Sequence, residues 1–137
     1  MAEENKTIGK IAIARGSDMP ISTKHAIAIC RFLKGRKIND SIELLEKVII
    51  QKEAIPFNAE VPHKKGIPAR YPVNASKAFI KLLKSLSANA TQKGLNLEIT
   101  RIHGNANLAS RGHKPGRLGR RKFKRTHVLL VAEEKIS

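Results

Sequence analysis

Arg101, Arg111, Lys114, Arg117, Arg120, Arg121, Lys122, Lys124 and Arg125 fall in a stretch with no acidic residue between Glu98 and Glu133. An uncompensated run of cations repels itself and becomes stable against a dense anion, and nucleic-acid phosphate is the commonest such anion in a cell. Six of these nine cations are Arg, whose rigid fork matches phosphate oxygens, whereas Lys acts as a mobile point charge. Contacts of this kind position a protein on nucleic acid without reading its bases. A solvated charge run or a localisation signal would have the same composition. Strand-like segments on both sides argue instead for an arm tethered at both ends.

The other residues able to do chemistry are scattered. The histidines are His25, His63, His103, His113 and His127, and Cys30 is the sole cysteine. No His-x-x-x-His or Cys-x-x-Cys pair is present, so no metal site is expected. Cys30 lies on the apolar stripe of a predicted helix and reads as a core thiol. His103, His113 and Lys114 are the types a ribonuclease uses for acid–base chemistry, but an arm without a cleft is a poor place for it. No catalytic residue and no cofactor is therefore expected. The Gly112–Gly119 stretch lacks the strand–loop–helix setting of a nucleotide site. Phe32 and Phe79 have core spacing, which leaves Phe57, Tyr71 and Phe123 as possible base-stacking surfaces. Clustered aromatics on neighbouring strands are missing, so recognition by shape and phosphate is expected.

The elements that would hold these residues follow from periodicity. Ile8 to Ala14 alternates like a short strand. Gly16-Ser17-Asp18-Met19-Pro20 has turn chemistry, and Ser22 has the hydroxyl of an N-cap. Ala26, Ile27, Ile29, Cys30 and Leu33 form a helical stripe that Gly35 stops. Asp40 and Glu43 have capping-box spacing before Ile42, Leu45, Val48 and Ile49, a second helix running to about Lys52. Pro56, Pro62, Pro68 and Pro72 forbid a regular helix across Ala54–Pro72; a loop that carries His63, Lys64, Lys65 and Arg70 points to binding. A third helix starts at Asn74, with Phe79, Leu82, Leu83, Leu86 and Ala90 on one face and Lys77, Lys81 and Lys84 mostly off it, and Gly94 closes it. Leu95, Leu97, Ile99 and Ile102 begin a strand, and Val128–Val131 belong to the last one. These two strands should pair as an antiparallel hairpin. With arms of about 12 residues at roughly 3.3 Å each, it would reach on the order of 40 Å and project beyond the body.

The bulk composition agrees. The chain has 137 residues, a formal net charge of +16 and 41% hydrophobic residues. That is enough for one domain with a core, and too apolar for a disordered polycation. A single cysteine excludes an intramolecular disulfide. The polar segment Met1–Lys10 has no apolar signal region, and no run approaches a membrane span, so a cytosolic protein is expected.

The order of short motifs carries a resemblance. Met19-Pro20-Ile21-Ser22 with Lys24 is followed by Cys30-Arg31 and Lys34-Gly35-Arg36, then Ile55-Pro56-Phe57 and Arg70-Tyr71-Pro72-Val73. Ala88-Asn89-Ala90, Lys93-Gly94-Leu95, Gly119-Arg120 and Arg125-Thr126-His127 complete the series. From about Ala14 to Glu134 the chain resembles the universal large-subunit ribosomal protein twenty-two family in its archaeal and eukaryotic form. The resemblance implies a single α+β domain over residues 1–137. In it, three helices pack on a small antiparallel β-sheet, and a long protruding basic β-hairpin covers about residues 97–132. It implies a non-enzymatic structural protein of the large subunit that binds large-subunit ribosomal RNA and joins several RNA domains during assembly. The hairpin of the family lines the nascent-peptide exit tunnel.

The implied RNA contacts are Lys24, Arg36, Lys64, Lys65, Arg70, Arg101, His103, Arg111, His113, Lys114, Arg117, Arg120, Arg121, Lys122, Lys124 and Arg125. The implied tunnel-lining tip is Asn107, Leu108, Ala109, Ser110, Arg111, Gly112 and His113. Implied partners are the RNA, neighbouring large-subunit proteins around the tunnel exit and the nascent polypeptide, with no membrane and no homo-oligomer. The family pattern has Arg directly after the arm proline, whereas here Pro115 is followed by Gly116 and then Arg117. In an extended segment that one-residue shift turns the side chain to the opposite face. Without the resemblance, a general nucleic-acid module, an RNA chaperone for instance, would share the charge and differ in binding many nucleic acids.

Overall fold

The computed structural model describes residues 11–57, 63–64, 67–109 and 124–134. In chain order these form β1 (Ile11–Met19), α1 (Thr23–Leu33), α2 (Ile38–Ile49), β2 (Ile55–Pro56), β3 (His63–Lys64), β4 (Ile67–Arg70), α3 (Val73–Gln92), β5 (Thr100–Leu108) and β6 (Thr126–Glu134). The architecture is the expected α+β one. Among the described residues, three helices accompany a main antiparallel sheet of order β1–β6–β5 and a small one of order β2–β4–β3.

Period-2 alternation decides what the main sheet buries. Val128, Leu130 and Ala132 of β6 point into the core, flanked by Ala12 and Ala14 of β1 and by Ile102 of β5. α3 packs over β1 and α1 over β5, while α2 packs on α3. The inward positions of β1 are alanines, which suits a helix packed closely on that strand. Ile13 is turned to the opposite face and is 40% exposed. Gly104 has the same role under α1: a Cβ there would lie 2.7 Å from Leu130 Cδ2 and 2.8 Å from the Leu129 carbonyl oxygen, with Cys30 Sγ at 3.6 Å.

Both edges of this sheet are engaged, which removes the hazard of an open edge. On the β1 side, Asn89 Nδ2 and Lys93 Nζ of the α3 terminus donate to the carbonyls of Ile13 and Ile11, at 2.9 and 3.3 Å. On the β5 side, the turn after α1 pairs with Ile102. The Gly35 amide donates to its carbonyl at 2.8 Å, and its own amide donates to the Arg36 carbonyl at 3.0 Å.

α3 matches its periodicity. Phe79, Leu82, Leu83, Leu86 and Ala90 are buried, and Lys77, Lys81 and Lys84 are exposed. Gly94, at φ +77°, ends it. The Leu95 amide donates to the Ala90 carbonyl and the Gly94 amide to the Thr91 carbonyl, the two bonds of a Schellman stop. Leu95 is therefore buried as part of this stop, and the following strand begins at Thr100 rather than at Leu95.

Several other expectations give way to tertiary contacts. The Gly16–Met19 turn residues remain in β1. Between the Gly16–Val128 and Met19–Thr126 pairs β1 carries one extra residue, a bulge that absorbs Asp18 at φ +53°. Ser22 is the N-cap of α1, but its side chain makes no capping bond. α2 starts at Ile38 after Lys37, so Asp40 sits in the first turn and is not the cap of a box. Its charge there still favours the helix N-terminus. α2 ends at Ile49, before the expected Lys52, and Gln51 turns the chain at φ +63°. The proline-rich stretch contains β2, β3 and β4, short enough for proline to be tolerated. Phe57 is buried and makes a T-shaped contact with the His25 ring, with centroids 5.5 Å apart, so it is a core residue and not a base-stacking surface.

Candidate nucleic-acid interface

The strands on either side of the basic stretch belong to the main sheet. β5 and β6 pair from Thr100–Glu134 to Leu108–Thr126, and the Ala109 amide donates to the Arg125 carbonyl at 3.3 Å. β6 is the central strand, so the chain that follows the basic stretch is held on both sides. Lys124 is exposed at this root and Arg125 is half-buried. Arg111, His113, Lys114, Arg117, Arg120, Arg121 and Lys122 lie outside the described residues. Of the expected tip, Asn107 and Leu108 stand in the paired ladder and Ala109 is buried at its end; Ser110, Arg111, Gly112 and His113 lie outside the described residues.

Arg101 and His103 sit at the other end of the ladder. Arg101 Nη1 donates to the Glu98 and Thr100 carbonyls at 3.3 and 3.2 Å. His103 Nε2 lies 3.6 Å from the Glu133 carboxylate, an ion pair when the imidazole is protonated. The structure does not bring these two beside Lys124 and Arg125: ladder pairs from Gly104–Leu130 to Leu108–Thr126 separate them. Lys64 belongs to β3 and Lys65 lies outside the described residues. Arg70 ends β4 and is exposed.

The body adds a basic ridge. Lys24, Ile27, Arg31 and Lys34 recur at three- to four-residue spacing along α1 and its end, so they share one face, and all four are exposed. Arg36 joins them, with its guanidinium 4.9 Å above the Phe32 ring and its Nε donating to the Phe32 carbonyl at 2.9 Å. Together with Phe57 these residues line a groove of about 740 Å³. Lys24 and Arg36 are among the RNA contacts that the resemblance implies, and the structure sets Arg31 and Lys34 on the same face beside them. Their helical spacing from Lys24 was the available signal. Among the described residues, Lys37 is paired with Glu98 at 3.4 Å, an exposed contact of small worth. No described carboxylate lies within 4.0 Å of Lys24, Arg31, Lys34 or Lys124.

Burial pushes the Cys30 thiol up to about 11, which suppresses the thiolate that a nucleophile needs. Among the described residues no cluster of His, Cys, Asp or Glu could hold a metal ion, and no helix is long and apolar enough to cross a membrane.

The sequence matches known proteins. The family model described as ribosomal protein L22p/L17e covers residues 14–133. The large ribosomal subunit protein uL22 of Methanoregula boonei is 39% identical over 121 residues, 80% of this chain and 79% of that one. Its counterpart in Methanocaldococcus jannaschii is 40% identical over 138 residues, 91% and 88% of the two chains. That of Ignicoccus hospitalis is 36% identical over 150 residues, 98% and 93%. The chain belongs to the L22p/L17e family of ribosomal proteins in its archaeal form, and is thus a structural, non-enzymatic constituent of the large ribosomal subunit.

Proposed function

We propose that the protein binds large-subunit ribosomal RNA through its basic arm and the adjoining faces of the body, and joins several RNA segments during assembly. The observation that carries this reading is the root of the arm. A stretch of sequence whose cations have no acidic residue among them joins Ala109 to Lys124, and the strands on either side of it are fixed in a three-stranded sheet. Each cation can then meet a phosphate from a defined starting point, with less orienting entropy than a free tail would lose. Arg101, His103, Arg111, His113, Lys114, Arg117, Arg120, Arg121, Lys122, Lys124 and Arg125 would contact phosphates along the hairpin. Lys24, Arg36, Lys64, Lys65 and Arg70 would do so from the body.

We take residues 1–137 as one domain and about 97–132 as its arm. The end of the arm, with Ser110, Arg111, Gly112 and His113, would line the nascent-peptide tunnel and meet the nascent polypeptide. Asn107, Leu108 and Ala109 form its approach. Neighbouring large-subunit proteins around the tunnel exit would contact the body.

Crosslinking in cells with mapping of both RNA and residue tests the reading. Crosslinks confined to a few large-subunit RNA segments and centred on Arg101–Arg125 are expected; crosslinks spread over messenger RNA with no such enrichment would sink it. In vitro, affinity should fall steeply with salt, and an Arg120→Ala, Arg121→Ala variant should lower the slope by about one unit per lost phosphate contact. An unchanged slope would remove those two residues from the contact set.

A further inference from the structure

His25, Tyr71 and Lys124 are far apart in sequence, yet they line one cleft of about 320 Å³ with Ser22, Asn74 and Pro20. The cleft lies where α1 begins, where α3 begins and where the chain returns from the arm. No described carboxylate lines it. Arg70, at the end of β4, adds its field: Lys124 and Arg70 both lower the pKa of His25, after the larger effect of burial. Three cationic or potentially cationic groups from three segments therefore converge without a described counter-charge.

Donors around them remain available, although the Val73 amide already donates to the Tyr71 carbonyl at 2.9 Å. The Ser22 hydroxyl makes no capping bond, and neither helix has an acidic residue in its first turn. The first amides of each helix lack intrahelical acceptors and carry partial positive charge. These helix ends reinforce the potential that the side chains create. The cleft is also held in shape. Thr126 Oγ1 donates to the Ile21 carbonyl at 2.8 Å and lies 3.0 Å from Thr23 Oγ1, which pins the strand after Lys124 to the chain entering α1.

We propose that this cleft is a preformed oxyanion site that takes one phosphodiester group of RNA, bound by Lys124, Ser22 and His25 within the field of Arg70. The proposal rests on the RNA-binding reading for the identity of the anion, but not for the existence of the site. A phosphate seated there would lock the base of the arm to the two helix ends. It would also favour protonation of His25, since the anion offsets the neighbouring cations.

The test uses the full-length chain and two probes. The first is inorganic phosphate, followed by backbone-amide nuclear magnetic resonance at constant ionic strength against chloride. Saturable shifts concentrated on Thr23–His25, Asn74 and Ala75 are expected. Lys124→Gln should weaken phosphate binding about tenfold or more, and Lys124→Arg should restore most of it. Lys124 is exposed, so neither change disturbs the core. Shifts that rise without saturation over all basic surfaces, or that persist in Lys124→Gln, would overturn the site.

The second probe is a large-subunit RNA transcript. Lys124→Gln should lower the salt slope of its binding by about one unit, the signature of one lost phosphate. An unchanged slope beside intact RNA binding would overturn the RNA assignment of the cleft. Saturable phosphate binding in a protein that fails to bind the transcript would overturn the RNA reading itself and leave a site for free phosphate.

Discussion

The hydroxyls of Thr23 and Thr126 lie 3.0 Å apart, joining the start of α1 to the first residue of β6 across 103 positions of sequence. Thr126 Oγ1 donates to the Ile21 carbonyl, so its single proton is committed. Thr23 must then be the donor to Thr126. Thr126 is fully buried; Thr126→Val keeps the shape but strands the Ile21 carbonyl and the Thr23 hydroxyl. A loss of about 1–3 kcal/mol is expected, read as a lower urea midpoint with an unchanged slope. An unaltered midpoint would mean that water replaces the bond at no cost.

Two glycines should respond to alanine for different reasons. At Gly104 a Cβ meets Leu130 and the backbone oxygen of Leu129. Gly104→Ala should cost about 1–3 kcal/mol through overpacking, and trimming Leu130 to Ala should not rescue it, because the carbonyl remains. At Gly35 a Cβ meets nothing within 4 Å, but φ is +80°. Gly35→Ala should cost about 1–2 kcal/mol of backbone strain, and Gly35→Asn less, since Asn tolerates that region better. Thermal unfolding of the four variants decides both points.

Cys30 should be silent in the folded protein. With its thiol buried and its pKa pushed up to about 11, a disulfide-exchange reagent at about pH 8 should react far more slowly than in denaturant. Rapid labelling under native conditions would show that α1 opens away from β5.

Acidification should weaken the fold through His25. Burial chiefly, then Lys124 and Arg70, lower its pKa from 6.5. The folded state therefore binds fewer protons than the unfolded one between the two pKa values, and stability rises with pH there. The penalty is absent well above 6.5, grows as pH falls below it and is complete below the folded pKa. Denaturation curves from about pH 7 to 5 should show this loss, and His25→Gln should lose less. Identical pH slopes in the two proteins would clear His25 of the effect.

The legible parts of this chain were those governed by neighbours in sequence. The apolar face of α3 and its Gly94 stop repeat every three to four residues, and such a period survives any plausible packing. The acid-free stretch from Arg101 to Arg125 is a matter of charge alone, and the ordered motifs carry the family. Tertiary structure decided what depends on partners far away. β1 runs through turn-prone Gly16–Asp18 because β6 supplies a ladder to pair with. Its alanines face inward because α3 covers that side. Phe57 was surface or core only once the His25 ring lay against it. The cleft required Ser22, His25, Tyr71 and Lys124 to meet, and no local pattern encodes a meeting across a hundred residues: that contact exists through the closure of the β1–β6–β5 sheet, whose pairing energy is shared by the whole body.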